Sequence, residues 1–277
     1  GGCRFMNKDY DQQLVVKHKQ VCDLFERIGG QRPDRVRPVV ACPTPYAYRN
    51  RIMVRTQFNR ETRSMNVGYL RHQSRLVVDV ESCPIAEPEL NERLQDVRKD
   101  PPRKNGIKFT LRAMPEDWAL PPDSFFQVNF HQLPQMIQAV AERLHSAGVQ
   151  HLIDAYCGVG FFSLSLADKV QRFTGVEVDK RAIEAARKNA ETMGHENGTF
   201  IEGTTEAHIQ DLVDAYDPTQ TAVILDPPRK GCHPSILEVL IQAKPKQIIY
   251  VSCHPATLSR DIKTLCESGC FEVHQVI

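Results

Sequence analysis

An open, doubly wound, mostly parallel α/β sheet, preceded by a smaller, basic β-rich module, is the fold class this sequence predicts. Three observations lead there. From residue 131 onward, strand and helix patterns alternate with short connections, which implies a parallel sheet covered by helices on both faces. The first of those strands runs straight into a glycine turn, Asp154-Ala-Tyr-Cys-Gly158-Val-Gly160. Before residue 131 the texture is different: arginine-rich, alternating apolar and polar, and broken by proline pairs.

Residues 10–28 read as one amphipathic helix, with Leu14, Val15, His18, Val21, Cys22, Phe25 and Ile28 at helical spacing and Gly29-Gly30 as its stop. Residues 51–58 (RIMVRTQF) and 76–80 (LVVDV) alternate as strands do, with a charged turn over 59–66 between them. Pro101-Pro102 and Pro121-Pro122 punctuate the end of this region. A helix over about 133–146 then leads into strand patterns at 151–157, 172–178, 198–203, 221–226, 246–252 and 271–277. Helix patterns separate them at 161–170, 180–193, 205–216, 233–243 and 255–268. The expected organisation is an N-terminal segment (1–35), a basic β-rich module (36–130) and a sheet-forming ligand-binding domain (131–277).

A chain of 277 residues is long enough for about two domains. No apolar run approaches the ~18–20 residues of a membrane span, and the first residues lack the charged-then-apolar order of a signal peptide. A cytosolic, reducing setting is therefore expected, with no membrane association, and no protein partner is evident. Nine scattered cysteines make a poor disulfide framework and read as mostly buried free thiols. Net charge is only +1, yet residues 31–75 hold ten arginines, no lysine and two acids, which makes them +8 and the remainder −7. Arginine suits bidentate phosphate contact and base stacking, and Tyr46, Tyr48, Phe58 and Tyr69 are interleaved. The segment reads as a nucleic-acid surface, with a merely solvated basic face as the alternative.

Ligands of an open α/β sheet bind at the carboxyl ends of its strands. Glycines in the first turn, Gly158 above all, would give a ligand backbone room. Glu177 ends the second strand about twenty residues on, where an acid can accept from both ribose hydroxyls. The fourth strand ends in Asp226-Pro-Pro-Arg229, and the fifth in Ser252-Cys253-His254-Pro255. A thiol just before a proline-led helix sits where thiolate is favoured, which makes Cys253 the candidate nucleophile.

Together the stretches Asp-Ala-Tyr-Cys-Gly-Val-Gly, Gly-Val-Glu, Leu-Asp-Pro-Pro-Arg-Lys-Gly and Ser-Cys-His-Pro-Ala-Thr-Leu-Ser-Arg-Asp resemble the RNA 5-methyluridine methyltransferases. So do Phe125-Phe-Gln127-Val-Asn129, Tyr-Arg-Asn-Arg at 48–51 and the early Gly-Gly-Cys. The resemblance implies a class I methyltransferase sheet and transfer of a methyl group from S-adenosylmethionine to C5 of a uridine in structured RNA, transfer or ribosomal. It implies Cys253 as the nucleophile that adds to C6, and Gln127, Tyr156, Gly158, Glu177 and Asp226 as cofactor contacts. RNA contacts are expected from Arg49, Arg51, Arg55 and Arg229. Some members hold a [4Fe–4S] cluster; Cys3 and Cys83 match two of its four ligands, and the other two would precede Gly1. The family's final proton-abstracting glutamate and a last antiparallel strand would follow Ile277. The chain is thus expected to be a piece cut at both ends, able to add Cys253 to uracil but slow to release product. Two other readings stay open: an amino-group methyltransferase, which needs no thiol, and a non-catalytic RNA-binding protein of the same fold. A 5-methylcytosine enzyme is disfavoured, because Arg229 rather than a cysteine follows Pro228.

Overall fold

The computed structural model describes Phe5 and residues 7–277. Helix α1 (Tyr10–Arg27) comes first, with Phe25 as its buried residue. An antiparallel sheet follows, built from β1 (Arg51–Asn59), β2 (Ser64–Leu70), β3 (Val77–Asp79) and, after helix α2 (Pro88–Lys99), β4 (Lys108–Arg112), in the order β3-β2-β1-β4. Alternation turns Ile52, Val54 and Thr56 of β1 inward. Ile52 and Val54 pack with Val67 and with Leu90 and Leu94 of α2. Met53 and Phe58 remain exposed.

The remaining elements are α3 (Leu133–Ala147), β5 (His151–Asp154), α4 (Phe161–Ser165), β6 (Arg172–Glu177), α5 (Lys180–Met193), β7 (Gly198–Glu202), α6 (Thr205–Asp214), β8 (Thr221–Leu225), α7 (Pro234–Ala243), β9 (Gln247–Tyr250) and α8 (Pro255–Glu267). Five strands form a parallel sheet in the order β7-β6-β5-β8-β9. Period-two alternation divides each central strand between two cores. Leu152, Phe173 and Ile224 join Leu144, Phe162 and Ile183 on one face. Ile153, Val176, Val223 and Leu225 join Ile209, Ile236, Leu240 and Leu265 on the other. Strand order reverses between β5 and β8, so their carboxyl ends open the crevice where such sheets take ligands.

Several sequence expectations need correction. Strand β2 resumes at Ser64, inside the stretch 59–66 read as a turn. Asn59 confines the turn by accepting from the backbone N–H groups of Glu61 and Thr62. Helix α2 was not expected; its Leu90, Leu94 and Val97 sit at helical spacing but are diluted by charge. The expected helix 161–170 is an α-turn and a short 3₁₀ turn. Residues 271–277 are not a strand of the parallel sheet. A strand pattern needs a neighbour, and this segment finds it elsewhere: Arg37 N–H donates to Val276 O (2.8 Å) and Val276 N–H to Arg35 O (2.9 Å).

The two sheets meet through residues 112–129. Asn50 side-chain and backbone N–H groups donate to Gln127 O (2.8 Å) and Val128 O (3.0 Å). The buried Arg112 guanidinium donates to Pro121 O (3.2 Å) and Ser124 O (2.6 Å). Asn189 of α5 accepts from Ala119 N–H and donates to Ala119 O and Val159 O. Each of these buried polar groups is satisfied by backbone, as burial requires.

Candidate active site

The glycine turn after β5 is made by left-handed residues. Gly158 has φ +55° and Gly160 φ +88°. At Gly160 a Cβ would come within 3.0 Å of Leu164 and Phe200, so only glycine fits; at Gly158 it would meet nothing, which leaves that surface open. Gly158 N–H donates to Glu177 Oε2 (3.2 Å), while Glu177 Oε1 accepts from Asp179 N–H (2.8 Å). The end of β6 is thereby stitched to the turn, and each carboxylate oxygen keeps a lone pair for a hydroxyl.

Two further acids stand on either side of the switch point. Asp154, fully buried at the end of β5, accepts from Ser163 N–H (3.1 Å) and Oγ–H (2.7 Å) through Oδ2. Its Oδ1 has no partner. Burial first, and then the charge of Glu177, push it up to about 6 against the pull of Ser163. Asp226, just past β8, accepts from Gln127 Nε2–H (3.2 Å). Burial, then the charge of Asp154, raise it to about 7. The charges that raise these two carboxyls are those of Glu177 and Asp154, and neither carboxyl has an ion pair among the described residues. Glu177 and Asp226, with the buried Asp154 behind them, thus make an acidic crevice without an ion-paired cation among the described residues. That set of acceptors fits a ligand bearing both hydroxyls and positive charge, as S-adenosylmethionine does.

The nucleophile candidate lies on the neighbouring strand. Leu225 of β8 pairs with Tyr250 of β9, and Val251 N–H donates to Leu225 O (2.7 Å). Asp226 and Cys253 therefore leave adjacent strand ends, about 4.8 Å apart across the sheet. Cys253 is exposed and immediately precedes His254, which caps α8 by accepting from Thr257 N–H. The first two turns of α8 also hold the loop that follows Asp226. Thr257 Oγ1 donates to Arg229 O (3.2 Å) and Arg260 to Lys230 O (2.9 Å). Buried Asp261 accepts from Cys232 N–H (2.9 Å) and Tyr250 Oη–H (2.6 Å) and pairs with Arg260 (2.7 Å). Gly231, at φ +83°, fits beneath this pair, because a Cβ there would lie 2.5 Å from Arg260 and Asp261. The loops bearing Asp226 and Cys253 are consequently locked to one another.

Of the residues expected at the site, Gln127, Gly158, Glu177 and Asp226 come together, and Cys253 stands beside them. Arg229 is exposed on the locked loop, with no hydrogen bond from its guanidinium among the described residues. Tyr156 does not join them through its side chain. It packs into the core under α6 and α7, and burial with Cys232 nearby pushes its hydroxyl far up. Its place in the motif is a backbone one, in the turn between Asp154 and Gly158. Asp154 and Asp261 support the site and are not singled out by the sequence reading. A carboxylate ending an otherwise apolar strand, and an acid two turns into a helix, were the available signals.

Arg49, Arg51 and Arg55 lie at the start and along the outward side of β1; Arg49 Nε–H donates to Arg51 O (2.9 Å). Cys83 is buried, its N–H bound to Asn91 Oδ1 (2.8 Å) and its thiol beside the Tyr69 hydroxyl. Cys3 lies outside the described residues. No three His, Cys, Asp or Glu side chains converge among the described residues.

Comparison with known proteins agrees with the crevice. The family model described as tRNA (Uracil-5-)-methyltransferase matches residues 104–276, more than half of the chain. An RNA methyltransferase of Gloeobacter violaceus, itself described as uncharacterized, is 29% identical and aligns with 97% of this chain and 75% of its own. One from Bacillus cereus gives the same 29%, 97% and 75%. The crystal structure of Pyrococcus abyssi tRNA (uracil-54, C5)-methyltransferase in complex with S-adenosyl-L-homocysteine superposes with a TM-score of 0.68. It covers 93% of this chain and 77% of that one at 24% identity, a likeness of fold. No helix among the described residues is long and apolar enough to cross a membrane. With the acidic crevice, the match over residues 104–276 makes this chain a member of the tRNA (uracil-5-)-methyltransferase family and an S-adenosylmethionine-dependent RNA methyltransferase.

Proposed function

We propose that this chain methylates C5 of a uridine in structured RNA, transfer or ribosomal, through a covalent adduct between Cys253 and C6 of the base. The observation that carries the reading is the locked pair of strand ends, with exposed Cys253 beside the crevice of Asp226. S-adenosylmethionine supplies a methyl group made electrophilic by its sulfonium. Uracil C5 is too weak a nucleophile to take that methyl unaided. The Cys253 thiolate forms a bond to C6 and pushes electron density onto C5, which attacks the methyl carbon as the carbon–sulfur bond breaks. A base then removes the C5 proton, the C5=C6 bond reforms and the thiolate leaves.

In this reading Glu177 accepts the ribose hydroxyls, Gly158 lets the ligand approach the backbone, and Gln127 orients Asp226. Tyr156 contributes through its backbone position. Arg229, on the loop that α8 holds against Cys253, is the contact to a uracil carbonyl or an RNA phosphate. Arg49, Arg51 and Arg55 contact the RNA backbone. The site residues fall in the part following residue 130, apart from Gln127, and the basic module before it is the RNA-binding part.

The test is covalent trapping. The protein is mixed with S-adenosylmethionine and RNA carrying 5-fluorouridine, then run on a denaturing gel beside Cys253→Ala. Fluorine cannot leave as a cation, so the methylated adduct persists. A shifted band that is lost in the variant is expected. Methyl transfer by Cys253→Ala at the normal rate would overturn the reading in favour of amino-group methylation.

A further inference from the structure

We infer that the outer end of the β1–β2 hairpin forms a docking cleft for an unpaired nucleotide of the RNA, separate from the methyl-transfer crevice. The inference rests on RNA being the substrate. A cleft of about 560 Å³ is lined by Arg55, Phe58, Arg60, Leu70, Arg75 and Asn105 among others, and none of its lining residues is acidic. Among the described residues the guanidinium groups of Arg55, Arg60 and Arg75 make no ion pair, in contrast to Arg93 and Arg98 at α2, which pair with Glu89 (2.6 Å) and Asp79 (2.7 Å). Phe58 is 45% exposed and Leu70 also 45%. The floor is fixed: Asn105 Oδ1 accepts from Phe58 N–H (2.6 Å), and Gln57 Oε1 from Val77 N–H (2.8 Å).

An aromatic face and three unpaired guanidiniums around one concavity match what single-stranded nucleic acid offers, a base to stack and phosphates to neutralise. An apolar ligand would leave the arginines unused, and a free anion would leave Phe58 exposed to water. The position adds a length requirement. Arg49 bridges to Asn129, beside Gln127. From there to Phe58 the chain runs nine residues, about 30 Å at roughly 3.3 Å per strand residue. RNA engaging both sites must therefore extend well beyond the target uridine.

The test uses the full chain and two probes in fluorescence anisotropy, fluorescein-labelled oligouridine and labelled inorganic polyphosphate. Phe58→Ala and Phe58→Leu are each expected to weaken oligouridine binding about tenfold, within the range of one base–aromatic stack, and to leave polyphosphate binding unchanged. The triple variant Arg55→Ala/Arg60→Ala/Arg75→Ala should weaken both probes and reduce the salt slope for oligouridine by about 2, at about 0.7 per lost contact. Phe58, Arg60 and Arg75 are exposed and Arg55 is half-buried on the outward side of β1, so thermal unfolding should move little. Equal loss of both probes in the Phe58 variants would reduce the cleft to a phosphate patch and overturn the nucleotide assignment. Wild-type binding by the triple variant would overturn the site itself. Cys253→Ala should retain every one of these binding properties while losing the 5-fluorouridine adduct, so the cleft and the covalent chemistry fail separately.

Discussion

The two sheets keep their unpaired charge in different places and with opposite signs. The parallel sheet is covered on both faces, and Asp154 and Asp226 stand at its strand ends with no ion pair among the described residues. The antiparallel sheet is covered by α2 on one face only, and its lone guanidiniums line the cleft beyond β1. Other charges at the two sheets are paired, Asp261 with Arg260 and Asp79 with Arg98 among them. A charge left without a partner costs stability, so a retained one marks the place where a ligand supplies the missing sign. Acids without cations suit a sulfonium-bearing cofactor, and arginines without acids suit RNA.

The largest expected effect tests the chemistry that lies between the two charge fields. Cys253→Ala should lower methyl transfer from tritiated S-adenosylmethionine to RNA by at least about 10³-fold, as loss of a nucleophile does. Cofactor and RNA affinity should stay as they were; a parallel loss of binding would mean that Cys253 is structural. Next comes the contrast between an acid held by an ion pair and one without. Asp261→Ala strands Cys232 N–H and the Tyr250 hydroxyl in the core and should cost about 3 kcal/mol in denaturant unfolding. Asp226→Asn should cost nothing in the same experiment, and should weaken cofactor binding. If both destabilise equally, the distinction drawn here is lost.

Titration gives a smaller effect. Asp226 holds its proton up to about 7 in the folded chain. In the unfolded chain a carboxyl releases it near 4. Between those values the folded state binds more protons, so this group lowers stability as pH rises through the window, and above 7 its full penalty is present. A cationic ligand favours the ionised form. Affinity for S-adenosylmethionine, measured by calorimetry, should therefore fall about tenfold from pH 8 to pH 6, where some nine-tenths of a group titrating near 7 is protonated. A flat profile would remove Asp226 from the cofactor contacts. Smallest is Arg98→Ala, which breaks a half-exposed pair with Asp79 and should cost about 1 kcal/mol without altering RNA affinity, the reverse of the expectation for Arg55.

Much of this was legible beforehand because the parallel sheet is buried on both faces. Apolar runs such as Thr221–Leu225 and the helix stops at Gly148 and Gly194 report their own structure. The glycine turn, Glu177 and Asp226 were legible for a related reason, since polar residues ending apolar strands stand out. The antiparallel unit was less so. Ser64–Leu70 contains Asn66 and Gly68, which look like a turn until β1 and β3 supply partners on both sides. Residues 271–277 alternate as a strand does, but pairing is a property of neighbours, and the neighbour is the segment around Val36. Tyr156 shows the limit at the site: a motif places a residue in the chain, while the rotamer decides which side of the sheet its ring serves.

The contact between the two ends of the chain has a consequence for synthesis. Helix α1 packs on α8, and Arg35 reaches His274 O across 239 residues of sequence. A ribosome adding roughly 5–20 residues per second needs about 12–50 s to make the second partner after the first. For most of that interval α1 has no α8 to rest on, and the strand end carrying Cys253 has not yet been made. The earlier antiparallel unit, whose strands are all made within residues 51–112, can close long before. The nascent chain therefore presents its arginine cleft first, and it can meet RNA before it is able to modify it.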